Sequence, residues 1–165
     1  MLTFQRFRRP ASGVIAQIPS SLGALPVGVN PKGKFLLPVA DDEAFWIGLG
    51  ESSARAELAV AIEPAEGRLL DAISGGPWNP AKPHTVTVPA RRWIEGVPRS
   101  DGQLNVFTRA PTIGGKTCRA LRFVAGSGPA VRIELVDYAA FTLRTGLSPP
   151  EPLDPDTGYK GWRLP

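Results

Sequence analysis

Apolar side chains recur at every second position through most of this chain, and glycine or proline closes each run after a few residues. Alternation of that kind puts apolar groups on one face of a strand and polar groups on the other. Leu2–Phe7, Val14–Ile18, Phe35–Leu37, Ala44–Leu49, Glu57–Ile62 and Leu69–Ile73 read in this way. So do His84–Val88, Gln103–Phe107, Cys118–Val124, Val131–Val136 and Ala139–Leu143. Turn signals spaced by roughly 8–12 residues between short strands are the mark of a sandwich or barrel. The 18 glycines and 18 prolines exclude a helical bundle, since each inside a helix costs roughly 1 or 3 kcal/mol relative to alanine. Pro19–Gly23 has room for one helical turn and no more.

The expected fold is therefore all-β: an antiparallel two-sheet β-sandwich, jelly-roll-like, over residues 1–143. The 165 residues suit one domain. Residues 144–165 read as an extended proline-rich tail, docked on its own or a neighbouring subunit. That tail has no periodicity, yet it carries Tyr159 and Trp162. Apolar surface of that kind on a free tail points to a contact.

Charge is unevenly spread. Net charge is +4, but residues 41–71 hold eight acids against two bases, while residues 1–40 and 72–132 are basic. Opposite patches can close on one another within a fold or pair with a second copy. Cys118 is the sole cysteine, so no internal disulfide is possible; it reads as a small core residue. Arg8-Arg9 resembles an export signal only until Gln17, Pro19, Ser20, Ser21 and Pro26 interrupt any apolar stretch. No apolar run nears ~20 residues, so no membrane-spanning helix is expected. A cytoplasmic setting is the resulting expectation.

Motifs for chemistry are sparse. Ala110–Thr117 fits a relaxed phosphate-loop spacing, but Pro111 removes an amide and a strand pattern follows where a helix is needed. It reads as a hairpin loop, and no nucleotide is expected. His84 is the only histidine, so any Ser–His–Asp arrangement must use it; a strand-end histidine is more often a surface or capping residue. One histidine and one cysteine cannot close a zinc site. Asp41-Asp42-Glu43 could hold a hard cation or simply guard the apolar strand that follows. No catalytic residue, metal ligand or cofactor is assigned.

The tryptophans carry the remaining signal. Trp46 sits in an apolar strand and reads as core. Trp78, in the Gly/Pro-rich loop 74–83, and Trp162 are the better candidates for outside contact, with Tyr159, Arg91 and Arg92 beside them. Arg91-Arg92-Trp93 joins cations to an aromatic ring and could grip a phosphate or a base. The residues suggest a non-enzymatic module that self-associates through its tail and charge patches. A carbohydrate-binding sandwich with Trp78 as stacking platform is the alternative, and a carboxylate-based hydrolase a third reading.

An ordered set of segments also resembles a family of uncharacterised all-β proteins. Its pieces here are Phe7-Arg8-Arg9, Ile18–Gly23, Glu43–Ile47, Ala72–Gly75 with Trp78, Trp93–Val97, Phe107–Pro111 and Ile133–Leu135. They span about residues 4–137. The chain departs from the pattern at Asn105-Val106, where the family has Arg-Gln, and the proline-rich tail lies outside it. The resemblance implies one domain ending near residue 143. It brings no activity and no site residues.

Overall fold

The structure, a computed structural model, describes residues 1–50, 55–111 and 117–154. Its strands are β1 (Leu2–Arg8), β2 (Val14–Ile15), β3 (Ala24–Leu25), β4 (Gly28–Val29), β5 (Phe35–Pro38), β6 (Glu43–Leu49) and β7 (Ala56–Glu63). These are followed by β8 (Leu70–Asp71), β9 (Val86–Val88), β10 (Trp93–Ile94), β11 (Val97–Pro98), β12 (Leu104–Asn105), β13 (Ala120–Ala125) and β14 (Val131–Val136). One helix, α1 (Tyr138–Thr145), closes the series. The class is all-β, as the alternation predicts.

The described strands form three hydrogen-bonded sheets where two were expected. One runs β10–β6–β1–β3, a small one β11–β12–β2, and the largest β4–β5–β14–β13–β7 with β8 and β9 both paired to β7. Described strand pairs are antiparallel except β5 with β14, where Phe35 meets Ile133 and Leu37 meets Leu135 in parallel; an isolated bridge, Thr108 with Thr117, is parallel too.

Strand parity explains the core. In β1 and β6 the residues Phe4, Phe45, Ile47 and Leu49 face one way and join Val60, Ile62, Leu121, Phe123 and Ile133 of the large sheet in one buried cluster. Phe4 lies edge-on to Phe45 at 5.8 Å and to Phe123 at 6.0 Å, which ties the two sheets together. Opposite parity puts Phe7 and Ala44 on the other face. There they pack with Ile15 and Val106, so the small sheet covers one end of that face. Cys118 is buried in the main cluster, and burial first, then the Glu63 charge, pushes its thiol pKa up. An ionised thiol is disfavoured there.

The strand expected at Ala139–Leu143 is instead helix α1. Its caps decide this: Asp137 accepts the Ala140 N–H at 2.7 Å, and Gly146, at φ 74°, donates to the Thr142 carbonyl. Phe141 is its one buried residue. It lies over Gly28, where an added Cβ would come within 2.7 Å of the ring. The helix therefore crosses the boundary drawn at residue 143. Pro19–Gly23 is extended rather than a helical turn, and His84 and Thr85 lie before β9 rather than in it.

Beyond α1 the chain lies back along β1. Arg6 Nη1 donates to the Glu151 carbonyl at 2.7 Å, Arg8 donates to the Leu153 and Asp154 carbonyls, and Leu153 is buried. Tyr159 and Trp162 lie outside the described residues.

Candidate functional site

The three adjacent acids do not converge. Asp41 bonds to Arg109, Asp42 to Arg8 at 3.1 Å, and Glu43 turns inward to Arg6 at 3.0 Å. Strand parity is the cause: Glu43 shares its face with Phe45 and Ile47, so it is fully buried. Its Oε1 accepts from Arg6 and, at 2.6 Å, from the Tyr138 hydroxyl, while Oε2 accepts the Ala40 N–H at 2.9 Å. Burial, then the bond to Glu43, pushes the Tyr138 hydroxyl pKa up. A carboxylate satisfied this fully is a structural pin joining β1, β6 and α1.

A second cluster surrounds His84. Nδ1 lies 3.0 Å from Oδ2 of the buried Asp71, and the ring is largely exposed. Asp71 also accepts the backbone N–H groups of Ile73, Ser74 and His84. Burial raises the Asp71 pKa, but these bonds outweigh it and hold it below the usual range. Among the described residues no hydroxyl or thiol bonds to Nε2. The pair fastens loop 71–84.

The site with an open face lies on the four-stranded sheet. Trp93 of β10 stands opposite Gly48 of β6, and Gly48 opposite Thr3 of β1. Trp46 is two residues from Gly48 on the same face, so the indoles are diagonal neighbours, whose backbones lie about 7–8 Å apart. The small sheet covers Phe7 and Ala44 but stops short of Trp93 and Thr3. Both indoles are half-buried. They line two adjoining hollows. One, of about 590 Å³, is completed by Thr3, Gly48, Pro89 and Arg92. The other, of about 400 Å³, is completed by Ile18, Pro19, Ser20 and Ser21. Both volumes fall in the range of small-ligand sites, ~300–1,000 Å³.

Gly48 makes this shape possible. A Cβ there would sit 2.3 Å from Thr3 Oγ1 and 3.5 Å from the Trp46 ring. Glycine inside a strand marks a close approach, and here the Thr3 side chain fills the space over Gly48. The Trp46 indole N–H donates to the Pro19 carbonyl at 3.1 Å, which fixes the ring, and part of the ring packs on the cluster of Phe7, Ile15, Ala44 and Val106.

The residues singled out from sequence scatter. Arg92 lies on this site. Arg91 is held by Glu95 at 2.7 Å and by the Trp93 carbonyl at 2.9 Å. Trp78 is half-buried in its loop, its backbone N–H on the Leu69 carbonyl, and it lines neither hollow. Sequence reasoning missed Trp46 and Trp93 as partners. The signal was Gly48 in the middle of an apolar strand, two residues after a tryptophan.

No described helix is long and apolar enough to cross a membrane. No protein-family model, curated protein or solved structure matches the chain.

Proposed function

We propose that this chain is a non-enzymatic binding module that takes a saccharide on the Trp46–Trp93 face. The observation that carries this reading is the pair of half-buried indoles that line two adjoining hollows on one face, with the Thr3 side chain over Gly48 between them. The apolar C–H face of a pyranose ring packs on such a surface, with the Thr3 hydroxyl over Gly48 and Ser20 lining the second hollow. Trp93→Ala is the test, with Trp78→Ala as control. On a glycan array and by calorimetry, Trp93→Ala weakens binding at least about tenfold, or about 1.4 kcal/mol, and Trp78→Ala leaves it unchanged. An array without hits, or full affinity in Trp93→Ala, refutes the reading. In the finer architecture we read the four-stranded and the large sheet as the two leaves of a jelly-roll-like sandwich, supported by their shared core.

Self-association is a second reading. Residues 151–154 are fastened on β1, and the sequence after them carries Tyr159 and Trp162, apolar side chains that suit a contact. The opposite charge segments are a weaker support: Asp41, Asp42, Glu43 and Glu63 bond to arginines of their own chain. Removing residues 155–165 lowers the mass seen by light scattering if the tail bridges copies; an unchanged mass removes this reading.

A further inference from the structure

We infer that the saccharide is acidic and that the Arg92 guanidinium binds its carboxylate or sulfate; this rests on the saccharide reading above. Arg92 is the one charged side chain among the described residues lining the two hollows. Its neighbour Arg91 is engaged with Glu95, and Arg6, Arg8, Arg99, Arg109, Arg122, Arg132 and Arg144 each hold an acid. Among the described residues the exposed Arg92 guanidinium has no hydrogen-bond or ion-pair partner. Its backbone is nonetheless fixed, since the Arg92 carbonyl accepts the Leu49 N–H at 2.7 Å. The side chain thus starts from a fixed point at the rim of an aromatic surface, with its donors unspent. A guanidinium so placed matches the two oxygens of a carboxylate or sulfate.

A proline-rich peptide would dock on a pair of aromatic rings too. The Trp46 N–H is already occupied by Pro19, which leaves a peptide carbonyl the Trp93 N–H alone, and a proline-rich peptide is a first competitor in the experiment. A single nucleic-acid strand would use stacking and a cation as well, and it serves as the second competitor.

The test uses the full chain and matched probes: hexagalacturonate and its methyl ester, and chondroitin sulfate and unsulfated chondroitin hexasaccharides. The acid or sulfated member of a pair binds at least about tenfold more tightly at low salt, and added salt narrows the gap. In Arg92→Gln the gap falls within about threefold, while Trp93→Ala weakens both members. Arg92 is exposed, so circular dichroism of Arg92→Gln matches the parent. Equal affinity within every pair, or a gap that survives in Arg92→Gln, overturns the acidic preference and leaves the saccharide reading intact. No binding of any member overturns both. An oligothymidylate or a proline-rich peptide that binds more tightly than every sugar also overturns the inference.

Discussion

Glu43 is the residue whose loss tells most about how the domain is held together. It is fully buried, while its partner Arg6 keeps 12% side-chain exposure. Removing one member of a buried pair costs about 3–5 kcal/mol, because the other charge is left in low dielectric. Arg6 retains the Glu151 carbonyl and the Tyr138 hydroxyl, so Glu43→Ala belongs at the lower end, about 3 kcal/mol. For a domain of this size that lowers Tm by about 6–12 °C. Glu43→Gln keeps the shape but must aim its NH2 either at the Ala40 N–H or at the Arg6 and Tyr138 donors. It costs about 1–3 kcal/mol. The double variant Arg6→Met with Glu43→Leu regains much of the loss, since an apolar pair needs no compensation. Urea unfolding at neutral pH measures all of these. Limited proteolysis adds a local readout: Glu43→Ala is cut sooner between Leu147 and Asp154, because the arginine that holds that segment is loosened. A Glu43→Ala protein within about 1 kcal/mol of the parent, cut no faster there, would refute the pin.

Other outcomes follow from the same contacts. Hydrogen bonds from Arg132 outweigh partial burial and, with Arg122, hold the Glu63 pKa at about 2, against an ordinary 4.5. Its stabilisation is therefore full above pH 4.5 and is lost as pH falls through about 2; after discounting for the partly exposed arginines it is about 1–2 kcal/mol. Acid unfolding of Glu63→Gln, compared with the parent, lacks that slope. Asp71→Ala removes the acceptor of three backbone donors, those of half-buried Ile73 and exposed Ser74 and His84, and costs about 1–3 kcal/mol in urea unfolding, with faster amide exchange at all three. Gly48→Ala drives a methyl against Thr3 Oγ1, costs about 1–3 kcal/mol, and is relieved by adding Thr3→Ala.

Parity along a strand was enough to place most of the core. Phe45, Ile47 and Leu49 fix the inward face of β6, and the same count puts Glu43 inside, although a run of three acids suggests a wet loop. The helix at Tyr138–Thr145 was legible only at its ends, in Asp137 and Gly146, because a two-turn helix burying Phe141 alone shows almost no period. The Trp46–Trp93 face was hidden for another reason. Trp46 and Trp93 become neighbours through the register of β6 against β10, and no local pattern encodes a pairing across that many residues. The third sheet escaped for the same cause: β2 and β12 fall in runs that alternate, Val14–Ile18 and Gln103–Phe107, but only their pairing, with β11 beyond, makes them a sheet of their own.

The side-by-side pairing of β5 and β14 also governs when this molecule can become itself. Phe35 waits for Ile133, so during synthesis nearly the whole polypeptide must emerge before the largest sheet has its neighbour. Until then Leu36 and Leu37 lie open to water and to other chains. A distant, late-arriving partner makes assembly slow and exposes sticky intermediates. Recovery after dilution from denaturant is accordingly best at low protein concentration, and a ribosome-bound chain stalled before Val131 is a target for chaperones.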